Sequence, residues 1–384
     1  FSIERPAKVQ ASPGPFTIYT KQVTEAVIVD PHTIRLKSAA PYPNMAIDIA
    51  PIHFVSKKAA ANPTRDDFNT GKAAIGAGPY KLVRYVRGDR IELQRNDAYW
   101  GPKPHWERVT FRLLTSDPSR VAALLAGDVQ AIENIPTADL AKLGKNAAFG
   151  IFRTVSNRII YLHMDSNRDQ SPFVTDKAGK PMERNPLKDV RVRRAMSKAI
   201  NRPAIVDRVM EGLAVPAGQL LPDGMYGTSP ALKPEPYDPD GAKKLLAEAG
   251  YPDGFGLTIH TPNNRYVNDE QIAQAVAQML TRVGIQTKVE AMPANIFFSR
   301  GTKLDFSFLL AGWGSDTGEV SSPLKSLLAT YSKEKGMGSA NRGRYSNPQM
   351  DKVLEQALAT VDDGKREGLL RQAHEIAVND VGVI

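Results

Sequence analysis

Residues 109–132 read VTFRLLTSDPSRVAALLAGDVQAI, and this stretch decides the fold class of the chain. Its first residues, Val109–Leu113, predict a strand. Asp117, followed by proline, predicts the start of a helix, because aspartate caps free backbone amides and proline is tolerated in the first turn. Gly127 ends this helix, and Val129–Ile132 is expected to begin another strand. A strand, a helix and a strand in succession indicate an α/β layer.

The same kind of pattern extends in both directions. Upstream, a proline-rich stretch with short strands over residues 1 to about 72 indicates a small mixed subdomain. It is followed by a predicted strand pair, Tyr80–Val86 and Arg90–Gln94, joined by a turn sequence. Downstream, residues 156–168 predict a connecting strand that leads into a second, longer α/β region. We therefore expect two α/β bodies with a hinge near that strand.

The second region carries clear helix signals. Asp189 and Asn201 each predict a helix start, Asp240-Gly241 is expected to cap a third helix, and a long helix is expected from Asn268 to Gly284. Helices are also predicted over Met350–Leu358 and Arg366–Val378, and strands over Leu257–His260, Ile285–Val289 and Phe306–Leu310.

Composition excludes several classes of protein. The 384 residues are 42% hydrophobic and 24% charged, as in an ordinary globular protein, and no apolar run is long enough for a membrane helix. There are no cysteines, which excludes disulfides, thiolate metal sites and cysteine nucleophiles. The net charge of +9 is interleaved with acids along the chain, so we expect a solvated basic surface and no nucleic-acid partner.

Motifs for catalysis or cofactor binding are missing. The six histidines are scattered, and none forms the spacing of a metal-binding helix. Gly76-Ala77-Gly78 is followed by proline and has no third glycine, which is too little for a dinucleotide site. No phosphate-binding loop and no nucleophile elbow is present. We therefore expect no cofactor, no metal site and no enzymatic activity.

Both ends of the sequence are expected to be cut. The sequence begins at Phe1 with an amphipathic segment and shows neither an initiator methionine nor a signal peptide. It ends in the apolar run Val381–Ile384. If strands are missing, apolar surface is expected to be exposed near Tyr80–Val86 and Val109–Leu113.

Six segments, taken in order, resemble the family 5 extracellular solute-binding proteins of the dipeptide- and oligopeptide-binding group. They are similar to that family's G-T-G-P-Y strand, its R-N-P-x-Y-W segment, its L-x-x-G-E/D-I/V turn, its D-V-R-V-R-x-A helix, its A-K-x-L-L-A-E-A-G-Y/F run and its G-W-x-x-D loop. The matching segments are Ile75–Leu82, Gly88–Trp100, Leu125–Val129, Asp189–Ala195, Ala242–Tyr251 and Ala311–Asp316.

This resemblance implies a fold and a function. The fold would be α/β, the two-lobed periplasmic-binding-protein (Venus-flytrap) fold with an extra subdomain on lobe I, truncated at both ends. Residues 1–72 would form the subdomain, 73–157 the incomplete lobe I and 158–384 lobe II. The protein would be the substrate-binding component of a bacterial ABC importer, periplasmic or lipid-anchored at a Gram-positive surface, with a membrane permease as partner. The ligand would be a peptide or peptide-like solute, and the alternatives within the fold are a nickel complex, haem, an opine or an oligosaccharide.

The resemblance also points to binding residues. In peptide-binding members, the aspartate of G-W-x-x-D takes the α-ammonium of the peptide, and Asp316 holds that position here. Asp316 could instead order its loop. Trp313, in the same segment, could wall the pocket or fill the core.

The partner of the ligand carboxylate is less defined. Dipeptide-binding members have an arginine near the start of the long helix of lobe II, where this chain has Asn268-Asp269-Glu270. The nearest arginine, Arg265, lies in the preceding loop, and it is either the carboxylate partner or a solvent-exposed residue. Tyr161 and His163 are candidate hinge and pocket residues on the strand that leads into the second body.

Overall fold

A computed structural model describes residues 1–9 and 16–384. The chain divides into two compact units, the first formed by Phe1–Ala39 with Asn44–Ile135 and the second by Ala40–Pro43 with Pro136–Ile384. Each sheet lies within one unit. The lobe boundaries expected near residues 72 and 157 stay predictions.

The first unit has two antiparallel sheets. One is the hairpin of β1 (Glu25–Asp30) and β2 (Thr33–Lys37), and the other is a three-stranded meander of β3 (Tyr80–Val86), β4 (Arg90–Arg95) and β5 (Arg108–Arg112). The described helices of this unit are α1 (Thr17–Thr20), α2 (Met45–Ile49), α3 (Arg65–Asn69) and α4 (Asp117–Leu125).

Local chemistry explains the turns of this unit. The Asp30 carboxylate accepts a hydrogen bond from the backbone amide of His32 at 2.8 Å, which closes the first hairpin as an Asx turn. Gly88 has a φ of +78°, which only glycine adopts readily, at the turn between β3 and β4. The apolar exposure expected on the meander is present, since Val83 is 59% and Phe111 is 55% exposed.

Two predictions in this unit were wrong. Asp117 does not cap α4: the N-cap position is Ser116, without a side-chain cap, and the Asp117 carboxylate is paired with Arg120 one turn on. Val129–Ile132 is not a strand, and it has no ladder partner among the residues that the structure describes. A β-strand is stabilised by pairing with another strand, and the composition of one segment does not show whether such a partner is present.

The second unit is built on a five-stranded mixed sheet. Its strands are β6 (Arg158–Met164), β7 (Val174–Thr175), β8 (Phe255–Pro262), β9 (Ile285–Met292) and β10 (Phe308–Gly314). The order is β6-β10-β8-β7, and β9 pairs with β8 off this path. β8 runs parallel to β9 and β10, whereas β6 runs antiparallel to β10.

The second unit also contains α-helices. They are α5 (Thr137–Gly144), α6 (Val190–Ala199), α7 (Arg202–Arg208), α8 (Pro239–Glu248), α9 (Asp269–Arg282), α10 (Ala294–Thr302), the short α11 (Ser321–Pro323) that continues into a π-helical turn at Leu324–Leu328, α12 (Pro348–Ala359) and α13 (Asp363–Asn379). No helix in the described part of the chain is both long and apolar enough to span a membrane.

Side-chain caps start several of these helices. Asp189 and Asn201 cap α6 and α7 as predicted, each accepting a hydrogen bond from a backbone amide of the first turn. The cap of α8 is Asp238 and not the predicted Asp240-Gly241: its carboxylate accepts from the Gly241 amide at 2.8 Å. Because proline is tolerated at the first helical position, α8 begins at Pro239, before the predicted cap at Asp240-Gly241.

The two faces of the sheet carry two separate hydrophobic cores. On β6, Ile159 and Tyr161 belong to one core, whereas Leu162 and Met164 belong to the other. This division follows from the alternation of side chains along a strand. The first core includes α12 and α13, and the second includes α6, α8 and α9. β6 and β10 therefore place their side chains on two distinct sides of the unit.

Candidate ligand-binding site

The end of β10 places Trp313 against the first core. Trp313 pairs with Ile159 across the ladder and shares its face with Ala311 and Tyr161. Its side chain is half-buried, and the indole N–H donates to the Ser322 hydroxyl at 3.3 Å. The ring therefore covers the edge of the core and keeps part of its surface in solvent. Its contact with a ligand stays a prediction.

The loop after β10 is held by Ser315 and leaves Asp316 free. Ser315 is buried, its carbonyl accepts from the Asn157 side-chain amide at 2.7 Å, and its hydroxyl donates to the Glu319 carbonyl at 3.0 Å. Asp316 is exposed and has no hydrogen bond or ion pair within the described residues. The carboxylate is thus presented to solvent by a loop that does not need it for its own order.

A buried ion pair fixes the far side of the same loop. Glu319 and Arg366 are both buried, and a carboxylate oxygen of Glu319 lies 2.9 Å from Nη1 of Arg366. The Ser321 hydroxyl donates to the same carboxylate. Buried charges are retained only when they are paired in this way. The loop therefore has a rigid base on both sides of Asp316.

A second loop, before α9, presents Arg265 and Tyr266. Its backbone is organised by the buried carboxylate of Asp269, which accepts from the amides of Arg265 and Tyr266, each at 3.0 Å. Burial raises the pKa of Asp269, while the backbone N–H donors act in the opposite direction. Asn268 enters the helix in the left-handed region, with φ +54°, and its side-chain amide donates to the Val209 carbonyl at 2.7 Å.

Tyr266 connects this loop to the sheet. Its hydroxyl donates to the Gly312 carbonyl at 3.2 Å, on the face of β10 opposite to Trp313. The Arg265 guanidinium lies 5.6 Å from the centroid of the Tyr266 ring, and the Arg158 guanidinium lies 5.9 Å from it. Both distances are within the range of a cation–π contact.

Sequence reasoning missed Arg158 and Tyr266. Arg158 pairs directly with Gly314 across the β6–β10 ladder, which is why its side chain reaches Tyr266. No motif marks these two positions. The alternation along β6 could have placed Arg158 on the same face as Leu162, but its neighbour depends on a pairing between segments far apart in sequence.

Tyr161 and His163 lie in the interior of the second unit. They are 2% and 1% exposed, and their ring centroids are 5.9 Å apart. Burial raises the pKa of Tyr161 and lowers that of His163 to about 3, so His163 is neutral at physiological pH. Neither ring nitrogen of His163 has a hydrogen-bond partner in the described chain. Asp316 and Arg265 are exposed whereas these two rings are buried, and the roles of Tyr161 and His163 as hinge and pocket residues stay predictions.

Metal-donor side chains are dispersed. Within residues 1–9 and 16–384, no group of three or more histidines and carboxylates is arranged to hold a metal ion. His260 and His374 are each hydrogen-bonded, to Glu290 and to the Leu220 amide, and burial lowers the pKa of both. They have structural roles in the interior of the unit.

Comparison with solved structures identifies the fold. A periplasmic binding protein DppA from Helicobacter pylori, in complex with the peptide STSA, is similar to this chain with a TM-score of 0.78 at 22% identity, over 100% of this chain and 74% of its own. NikZ from Campylobacter jejuni, in complex with Ni(L-His), is similar with a TM-score of 0.82 at 21% identity, over 100% of this chain and 75% of its own. These neighbours are two-lobed periplasmic binding proteins, and the chain has their α/β fold, as predicted.

Sequence comparison then gives the family. The model of the bacterial extracellular solute-binding proteins, family 5 (middle region), matches residues 1–335. The glutathione-binding protein GsiB of Shigella dysenteriae serotype 1 is 30% identical over 366 residues, which span 93% of this chain and 67% of that protein. The chain belongs to family 5 of the bacterial extracellular solute-binding proteins. Its relatives are solute-binding components of transport systems, which are not enzymes.

Proposed function

We propose that this protein captures a peptide or peptide-like solute for an ABC importer and that Asp316 binds the α-ammonium group of that solute. The observation that carries the proposal is the state of Asp316: an exposed carboxylate without an internal partner in the described chain, on a loop fixed from both sides by buried groups. A side chain that orders its own loop would make hydrogen bonds to it. Asp316 makes none among the described residues, so its charge is available for a ligand.

Two side chains associated with opposite faces of β10 are of the types that suit a zwitterionic ligand. Trp313 offers a partly exposed aromatic surface near the end of β10, three residues before Asp316, and Arg265 offers a guanidinium on the loop before α9. An ammonium bound by a carboxylate and a carboxylate bound by a guanidinium are the two charge-assisted contacts that a peptide requires. Relatives that bind glutathione and the peptide STSA support this class of solute.

A chelated nickel–amino acid complex is the second candidate. The observation in its favour is the likeness to NikZ, which was crystallised with Ni(L-His). Because no three-donor cluster exists in the described parts of the second unit, such a metal would have to arrive already bound to its chelator.

We also propose the working context of the protein. A solute-binding component delivers its ligand to a membrane permease, so an ABC permease is the proposed macromolecular partner. Members of this family act outside the cytoplasmic membrane, and we propose a periplasmic or surface-anchored location for this one. No catalytic role is proposed, because the side chains described at the candidate site, the Asp316 carboxylate and the guanidinium groups of Arg158 and Arg265, include no activated nucleophile.

Calorimetric titration with three ligands tests the proposal. The ligands are glutathione, the tetrapeptide Ser-Thr-Ser-Ala and the nickel–histidine complex, each added to the protein and then recovered for mass spectrometry. Saturable binding of a peptide that returns intact supports a peptide-binding protein. Binding of the nickel complex alone supports the second candidate, and recovery of cleaved peptide would contradict a pure binding role.

A further inference from the structure

We infer that Arg158, Arg265 and Tyr266 form a subsite for carboxylate groups, which makes acidic peptides the preferred ligands. The inference rests on the proposed function and adds to it the charge of the solute. Arg158 and Tyr266 belong to no motif of the sequence, and only the fold brings them together with Arg265.

Two uncompensated cations share one aromatic ring. The guanidinium groups of Arg265 and Arg158 lie 5.6 and 5.9 Å from the centroid of Tyr266, and both arginines are exposed. Neither has an ion pair in the described residues. Arg300, by contrast, is paired with Glu290 and with Asp305. Positive charge therefore accumulates at Tyr266 without a counterion from the described chain.

The carboxylate nearest in sequence is already occupied. Both oxygens of Asp269 accept backbone amide hydrogens, one from Glu270 and the other from Arg265 and Tyr266. The side chain is also buried. Asp269 thus fixes the backbone under the two side chains and leaves the guanidinium of Arg265 without an acid.

The ring and one guanidinium are seated directly on the strand backbone. A methyl group at Gly312 would lie 2.8 Å from the Tyr266 ring, and one at Gly314 would lie 3.1 Å from Nη2 of Arg158. The two glycines of β10 therefore leave the space that Tyr266 and Arg158 occupy. With the hydroxyl of Tyr266 bonded to the Gly312 carbonyl, the ring is fixed before any ligand binds, which lowers the entropy lost on binding.

Guanidinium groups suit carboxylates. Each presents a planar fork of N–H donors that matches the two oxygens of a carboxylate, and stacking on an aromatic ring restricts its orientation. The two guanidinium groups together carry two positive charges, whereas the C-terminal carboxylate of a peptide carries only one negative charge. A peptide with a side-chain carboxylate in addition to its C-terminal one would neutralise both guanidinium groups.

Peptide titrations with matched variants test this subsite. The probes are Ala-Glu-Ala, Ala-Gln-Ala and the C-terminal amide of each, and the variants are Arg158→Gln, Arg265→Gln and, as a control, Arg282→Gln. Arg282 is exposed in the last turn of α9, at the end of that helix away from Arg265. We expect each of the first two variants to weaken Ala-Glu-Ala by about tenfold, the usual order for one charge-assisted contact, and Arg282→Gln to leave it unchanged.

The probes identify the source of the carboxylate. A loss that is larger for the glutamate than for the glutamine peptide assigns the side chain and supports the preference for acidic peptides. A loss that is equal for these two peptides and disappears in the amides assigns the C-terminus and contradicts that preference. Equal losses for all four probes, or none, would overturn the subsite.

A second measurement separates this inference from the proposed function. If no peptide binds the wild-type protein, the proposed function fails, and succinate is then titrated while the side-chain Nε–H resonances of the arginines are followed by NMR. Shifts at Arg158 and Arg265 that are absent at Arg282 support the carboxylate subsite. Unchanged resonances at both would refute it.

Discussion

Replacing Asp316 by asparagine is the most direct test of the proposed ligand contact. Asparagine keeps the shape of the side chain and removes its charge. Because Asp316 is exposed and has no internal partner in the described chain, the substitution is expected to leave the melting temperature unchanged. Any loss of affinity would then report on the ligand and not on folding.

The size of the effect follows from the kind of contact. A hydrogen bond between a carboxylate and an ammonium is worth about 1.5–3 kcal/mol net. At about 1.4 kcal/mol for each factor of ten, this corresponds to a loss of roughly 10- to 150-fold in affinity. Within the described residues, no internal hydrogen bond of Asp316 has to be broken when the ligand arrives, so no cost of that kind reduces the gain.

The assay is a double-mutant cycle. Wild-type protein and Asp316→Asn are titrated by calorimetry with Ser-Thr-Ser-Ala and with its N-acetylated form, which lacks the ammonium. N-acetylation should cost the wild type as much as the substitution does, and it should cost the variant little more, since both changes delete one contact. Glu183→Gln, which removes another exposed carboxylate of the second unit, is the control for net charge and should bind like the wild type.

Additive losses in this cycle would refute the reasoning. They would mean that the carboxylate of Asp316 and the amine of the peptide do not meet. Asp316→Asn with a lowered melting temperature would instead show that the residue orders its loop.

Three further predictions test the folding of the second unit. Burial lowers the pKa of His163 from 6.5 to about 3, so the neutral ring stabilises the fold above about pH 6.5 and this stability is lost as the pH falls towards 3, at up to about 1.4 kcal/mol per pH unit. His163→Leu should flatten that dependence in urea unfolding between pH 7 and pH 4, and an unchanged slope would assign it to other groups. Arg366→Met should leave Glu319 buried without its cation and lower the free energy of unfolding by about 3–5 kcal/mol, whereas an unchanged urea midpoint would contradict the importance of the pair. Gly254→Ala should destabilise more than Gly250→Ala, because both have positive φ but only the first would place its methyl group 1.9 Å from a backbone oxygen; equal melting temperatures would contradict this.

Local signals predicted the helices of the second unit well. Asp189 and Asn201 were identified as helix starts because a cap acts on backbone amides two or three residues away, and this chemistry is complete within the sequence. The strand pair Tyr80–Val86 and Arg90–Gln94 of the first unit was predicted for the same reason, from the turn residues between its two segments.

Contacts between segments that are far apart in the sequence could not be predicted from local signals. Val129–Ile132 has the composition of a strand, but a strand requires a neighbour that composition does not name. The cap of α8 was misplaced by two residues because two aspartates flank the proline at its start, and only the fold selects Asp238. The burial of Tyr161 and His163 also depends on the fold: Tyr161 lies in the core that includes α12 and α13, and His163 lies against Gly343. Their roles as hinge and pocket residues stay predictions.

The sequence by itself determined the α/β class, the family and the position of Asp316, because these depend on short segments whose residues act on their immediate neighbours. The tertiary structure decided which charges are free. Ser315 and Glu319 hold the loop of Asp316 through partners more than forty residues away, Asn157 and Arg366, and this releases the carboxylate. The same antiparallel pairing of β6 with β10 places Arg158 beside Tyr266, a contact set by strand register, which no single segment contains.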